Sequence, residues 1–267
     1  MWHQVEFLLE GYVLPMTIEE LRISDRFLLE SAYPKNKSDG SFYSLAYVAT
    51  EEKSNYFKSV INYVDFFILI FALVSGQHVT FKTGVGTKIK NLTNLGKKRF
   101  TFPDYERIHV ISTGKDEFWT KPIFEIKDLF LKLLPSRQQI MDSHVGLALI
   151  YYYIAVQASQ RRYDQAIINL MIALEALLIE KDDKIRGCIS NRIASLIAEK
   201  SEERDQISKE MKELYDLRSH IVHGRGKKPT LKDTRLLFKF ARKSIQKTLS
   251  FEIFSKKELI KKISDFT

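Results

Sequence analysis

The feature that most restricts this fold is a change of hydrophobic period near Pro135. Before it, apolar residues alternate over short runs closed by proline or turn-forming clusters, as in RFLLESAY before Pro34 and FYSLAYVAT after KNKSDG. From Asp142 onward they recur at the three-to-four-residue spacing of helices. An alternating pattern buries one face of a sheet and a helical pattern buries a stripe, so the two halves read as separate packing units. The expectation is an α+β module over 1–137 followed by an all-α bundle over 138–267, ending in an amphipathic tail. At 267 residues each part is long enough to bury a core.

In the first module VEFLLEGYVL (ending at Pro15), RFLLESAY and FYSLAYVAT read as strands, and TIEELRI as a short helix or a further strand. Residues 54–75 read as one buried helix. Its apolar run, Val60 to Val74, is interrupted by Asn62 and Asp65 and falls short of the roughly 20 residues that cross a bilayer. His78 to Lys82 returns to strand, and GVGTKIKNLTNLGKKR (84–99) reads as a basic loop region with weak strand character. Its Gly84-Val85-Gly86 is taken as a turn, because no helix or Walker Lys-Ser/Thr pair follows. RIHVIS (107–112) reads as a strand, and PIFEIKDLFLKLLP (122–135) as an amphipathic helix stopped by its final proline.

The second module divides into helices over 144–159, 164–180, 184–200, 201–223 and 230–248, and FEIFSKKELIKKISDF closes it with a turn or short strand and a helix. Asp142 or Ser143 is the expected cap of the first, and Ser201 of the fourth. Short loops between such helices make a bundle.

Polar chemistry concentrates where the fourth helix stops, in LYDLRSHIVHGRGKKP (214–229). Leu214, Leu217, Ile221 and Val222 form an apolar stripe, Gly224 and Gly226 supply a stop, and Pro229 prevents continuation. Asp216, Arg218, Ser219, His220, His223 and Arg225 crowd against that stop. On an unbroken helix Arg218 and His223 would point about 140° apart. A helix ending at His223, with Gly224 left-handed, frees the imidazole to turn toward the arginine. Arg as clamp and His as acid or base suit phosphate chemistry. Glu175, the one acid in ALEALL, is the natural partner of Arg218, since a lone buried charge is costly.

Asp216, His220 and His223 lie at offsets of zero, four and seven and share a helical face that could hold a divalent metal. Arg218 and Arg225 beside them repel a cation and further ligands are not evident, so no metal or other cofactor is expected. Ser219 either bonds a phosphate oxygen or back-bonds within the helix. Arg225, Lys227 and Lys228 are a solvated loop or, beside a phosphate site, a track for a nucleic-acid backbone. Arg186 and Arg192 read as surface or salt-bridge residues. Tyr151 to Tyr153 read as core and dimer surface rather than a stacking platform.

The net charge is +9 and unevenly spread: residues 1–140 carry 18 Lys+Arg against 16 Asp+Glu, and residues 141–267 carry 24 against 17. The excess accompanies the 214–229 cluster and favours an anionic partner such as RNA, unless lysine is merely the habitual surface residue. Cys188 is the only cysteine, which excludes a disulfide framework and a thiolate zinc site within the chain. MWHQVEFLLEGY does not read as a signal peptide, and the expectation is a cytoplasmic protein without membrane contact.

Arg218-Ser-His-Ile-Val-His223 carries an Arg, four residues, His pattern that chance supplies often. Together with YDLRSHIVHG and the preceding AIINLMIALEALL (166–178) and NRIASLIA (191–198), in that order and spacing, it resembles the Apea-like branch of the HEPN superfamily over about 140–250. The resemblance implies a HEPN-like bundle, a homodimer with two copies of the motif facing across a cleft, and metal-independent RNA cleavage in prokaryotic defence. By that likeness His223 moves the proton, Arg218 stabilises charge on phosphorus and Ser219 positions the phosphate. Glu175, His220 and Asp216 support them, and the first module senses a phage-derived trigger or antitoxin. Many RNA-cleaving members carry Asn, Asp or His after the arginine where this chain has Ser219. That departure keeps a second expectation open, an inactive scaffold for dimerisation and RNA or nucleotide binding.

Overall fold

The computed structural model describes residues 2–10, 20–34, 43–51, 56–77, 79–89, 105–106, 117–226 and 228–265. The chain divides into two compact units, Met1–Leu134 and Pro135–Thr267, three residues before the boundary read from the sequence.

The first unit is α+β. Strands β1 (Trp2–Glu10), β2 (Glu20–Ser24), β3 (Phe27–Pro34), β4 (Tyr43–Glu51) and β5 (Thr80–Ile89) form an antiparallel sheet in the order β2-β3-β4-β1-β5. A short β6 (Tyr105–Glu106) pairs with the end of β3. TIEELRI therefore contributes a strand over its described residues rather than a helix. Gly84-Val85-Gly86 is not a turn but lies inside β5: Val5 pairs with Gly86 and Phe7 with Thr83, so Gly84 and Val85 together face Glu6 in a bulge. Glycine is common at bulges because the extra residue needs unusual backbone angles, and a bulge looks like a turn in sequence. RIHVIS, and the parts of the 5–14 and 84–99 segments at 11–14 and 90–99, lie outside the described residues.

Helices α1 (Tyr56–Ser75) and α2 (Glu117–Leu133) belong to this unit, α2 starting earlier than the Pro122 read from the sequence. Phe66, Phe67 and Phe71 of α1 and Phe130 of α2 are buried with Phe27 of β3. The Phe27 and Phe67 rings meet edge-on at 4.7 Å and Phe67 and Phe130 at 5.4 Å, a geometry the ring quadrupoles favour. Ser24 and Tyr63 tie β2 to α1 through a 2.9 Å hydrogen bond between hydroxyls. Among the described residues, no helix is long and apolar enough to cross a membrane.

The second unit is a helical bundle: α3 (Arg137–Met141), α4 (His144–Ser159), α5 (Tyr163–Leu178), α6 (Ile185–Ile197), α7 (Ser201–Val222), α8 (Leu231–Phe251) and α9 (Lys256–Ser264). Leu149, Tyr152, Leu170, Leu174, Ile193, Met211, Phe240 and Ile245 sit in its core. Ser143 caps α4 by accepting from the Val145 N–H, and Thr230 opens α8 with a reciprocal capping box to Asp233. Ser201 does not cap α7. It is the first helical residue, and the Glu203 carboxylate instead accepts from the Glu199 N–H at 3.1 Å. Gly146 allows α4 to pass close behind α3, because a Cβ there would lie 2.6 Å from the Ile140 and Met141 carbonyl oxygens. The tail docks through Lys256, whose Nζ donates to the Ile179 carbonyl at 3.0 Å. Burial, with the Lys256 charge adding to it, pushes the His144 imidazole down to about 4.

Candidate functional site

The stop of α7 is built by glycine. Gly224 has φ of +65°, its N–H bonds the Ile221 carbonyl at 3.2 Å, and the Arg225 N–H reaches back to the His220 carbonyl at 2.9 Å. These two bonds are the Schellman pattern, in which a left-handed residue turns the chain so that orphan carbonyls find donors. His223 is the capping residue with φ of −90° and ψ of 7°. The helix therefore ends where the sequence places it, with His223 exposed beyond the last turn.

Leu214 and Leu217 are buried and seat the C-terminal half of α7, whereas Val222 is 50% exposed and Ile221 only half-buried. The apolar stripe does not continue to the helix end. Arg218 follows the buried part and lies against α5. Its Nη2 is 3.7 Å from Glu175 Oε1, with side chains 25% and 22% exposed. That is an ion pair too long to be a hydrogen bond. Glu175 Oε1 and Arg218 Nε are both buried without hydrogen-bond partners among the described residues. Burial pushes the Glu175 carboxyl above its ordinary value, and the Arg218 charge opposes that rise only in part. The guanidinium also lies 5.9 Å from the Tyr215 ring, within cation–π range.

The remaining residues separate into those held by the fold and those open to solvent. Asp216 is held: Arg186 of α6 donates to its two carboxylate oxygens at 2.7 and 2.6 Å. This bidentate pair takes the carboxylate that a metal face would have needed. Among the described residues, no group of three His, Cys, Asp or Glu side chains is arranged to hold an ion. His220 Nδ1 lies 2.7 Å from the Asp216 carbonyl oxygen. A carbonyl only accepts, so Nδ1 carries the proton and Nε2 is left as the acceptor of the neutral ring. Ser219 is half-buried, and its carbonyl receives the His223 N–H at 3.1 Å. Arg225 and Lys228 are exposed after the stop, and Lys227 lies outside the described residues.

Arg192 is a structural residue. It donates to the Leu178 carbonyl at 2.7 Å and to both oxygens of Asp183. Tyr152 is fully buried and accepts from Arg242 Nε at 3.1 Å, which makes it core, while Tyr151 and Tyr153 are half-buried. The commitment of Asp216 to Arg186 was not foreseen, since the partners are thirty residues apart and neither helix pattern marks the pairing.

The last turn of α7 and the residues just after it thus carry a partly buried guanidinium, an imidazole bonded to a backbone carbonyl, an exposed imidazole and exposed cations. Such a set can bind a phosphodiester and exchange a proton with it. Comparison of the chain with protein-family models, characterised proteins and solved structures returns no match.

Proposed function

We propose that the chain is a metal-independent endoribonuclease of the HEPN type, Apea-like branch, acting in the cytoplasm as a defence effector. The observation that carries this reading is the glycine stop at Gly224, directly after Arg218-x4-His223, with Arg218 held half-buried over Glu175. The ribose 2′-OH attacks the adjacent phosphorus, the P–O5′ bond breaks, and the products are a 2′,3′-cyclic phosphate and a 5′-OH. His223 takes the 2′ proton or supplies one to the departing 5′ oxygen, Arg218 offsets the charge that grows on the phosphoryl oxygens, and Ser219 helps position the phosphate.

A single helix end presents one His223, whereas both an acid and a base are wanted. The reading therefore includes a homodimer in which two copies of the motif share a cleft. Arg225, Lys227 and Lys228 follow the RNA backbone, and the first unit receives an antitoxin or a phage-derived trigger. The second reading, an inactive dimerisation and RNA- or nucleotide-binding scaffold, draws on Ser219 standing after the arginine.

Incubating the full chain with RNA in EDTA separates the two. Cleavage to cyclic-phosphate ends, lost in both Arg218→Ala and His223→Ala with folding intact, supports the nuclease. Retained RNA binding without cleavage of any RNA supports the scaffold. Cleavage that EDTA stops and added metal restores rejects the metal-independent mechanism.

A further inference from the structure

Helix α4 is apolar on every side. From Ser143 to Gln160 the sequence contains no Asp, Glu, Lys or Arg, and burial keeps the one imidazole of that stretch, His144, neutral. A helix that is apolar all round normally has cover all round. Within the chain α4 is covered on one side only. Leu149, Tyr152 and Val156 are buried in the core, where α4 packs on α5 and α8. On the other side Leu147 is 46% and Ile150 37% exposed, and Tyr151, Ile154 and Ala158 are half-buried. At about 100° per residue these five fall within an arc of about 100°, a continuous stripe about 16 Å long.

The two ends of that stripe carry opposite charge. Asp142 is exposed just before the Ser143 cap, and among the described residues its carboxylate receives only the neutral Gln138 amide, at 2.8 Å. Arg161 is exposed just after the last turn and makes no ion pair among the described residues. A helix face with an acid at one end and a base at the other complements itself when turned end for end. Antiparallel pairing about a twofold axis between Ile150 and Tyr151 sets Leu147 against Ile154 of a second copy. It also brings Asp142 of each copy to within about 3 Å, along the axis, of Arg161 of the other. A lipid surface would instead ask for cations along the polar rim of the stripe, and so apolar a face offers no charge to an RNA backbone.

We infer that the outer face of α4 is an interface with a second copy of this chain, paired antiparallel. It is not the shared cleft proposed above. α4 packs chiefly on α5 and α8, and α7 chiefly on α6 and α5. Arg218 sits beside Glu175 near the end of α5, so turning one α4 end for end against another sends the two copies of Arg218 to opposite ends of the pair. The interface therefore stands whether or not the chain cleaves RNA. Where the cleft also forms, two different isologous contacts on one chain build a tetramer or a longer array.

Sedimentation velocity of the full chain over a concentration series tests this, and a reversible association step is expected. Leu147→Glu, which puts one carboxylate per copy into the apolar contact, should weaken that step about tenfold or more. Val222→Glu, at the 50% exposed position that ends α7, should leave it unchanged. Asp142→Arg and Arg161→Asp should each weaken it about threefold, and the double swap should restore it to within about twofold. If Leu147→Glu does not fold, the swap carries the test. The inference is overturned if the chain stays monomeric throughout, if Leu147→Glu folds and leaves association unchanged, or if the double swap restores nothing. It is also overturned if Val222→Glu weakens the step as much as Leu147→Glu does. That last result would put the contact at the α7 end and leave the nuclease reading standing.

Discussion

Arg192 and Arg218 each reach from a later helix toward a carboxylate in or beyond α5, yet their pairs differ in saturation. Arg192 donates to one carbonyl and two carboxylate oxygens, with side chains 18% and 14% exposed on the two partners. Hydrogen bonds, that from Arg192 foremost, hold the Asp183 carboxyl below its usual range. Arg218 makes one 3.7 Å approach to a carboxylate whose burial pushes it up. The first arginine has given its donors to the fold. The second makes one long approach and leaves its Nε without a hydrogen-bond partner among the described residues, so the fold itself does not account for its donors.

The largest expected effect that would test this contrast is catalytic. On the proposed nuclease reading, Arg218→Ala should lower RNA cleavage about 10²–10³-fold, the usual loss on deleting one donor to developing negative charge. Arg192→Ala should leave the rate per folded molecule near wild type. Equal losses in a single-turnover assay would erase the distinction.

Stability should rank the other way. Arg192→Ala strands Asp183 and the Leu178 carbonyl and is expected to cost about 2–4 kcal/mol. Arg218→Ala should cost less, about 1–2 kcal/mol, since the 3.7 Å pair is long and Glu175, left without its counter-charge, can take up a proton. Urea unfolding followed by circular dichroism reads both.

Gly224→Ala comes next. No atom lies within 4 Å of an added Cβ, so the cost is the left-handed backbone alone, φ +65°, about 1 kcal/mol. A melting temperature unchanged in this variant would mean that the helix end had rearranged.

The smallest effect is in pH dependence. Glu175 titrates higher in the folded chain than its ordinary 4.5, so its ionisation costs stability above that raised value and the cost is relieved as pH falls toward 4.5. Asp183 titrates lower than its ordinary 3.8, so it contributes stability above 3.8 that is lost as pH falls through the depressed value. Between pH 7 and 4.5 the wild type should therefore gain on Glu175→Gln, while Asp183→Asn should run parallel to it until pH falls below about 4. Denaturation midpoints across that range decide it.

The helical half was legible because its signals are local. Ser143 and the 3.6-residue pattern place α4 at 144–159, and Gly224 announces the end of α7. The Arg218–Glu175 pair could be read because a single acid in ALEALL demands a counter-charge. Arg186 reads as a salt-bridge residue and is one, but its partner Asp216 could not be named from sequence, because only the packing of α6 on α7 brings the two together. Gly84 and Gly86 misled because a bulge and a turn use the same residue for the same backbone freedom.

Both helices that flank the 224–230 connection finish themselves. α7 closes through Gly224 and Arg225, and α8 opens through Thr230 and Asp233. From Pro229 back to Arg225, described side chains are largely exposed, so the segment carries no scaffolding duty. A fluorophore or a few spacer residues could be spliced in after Lys228 without shifting either rod, since lengthening a surface connection costs only a fraction of a kcal/mol per added residue. That makes it the natural place to mount a reporter on the end of α7.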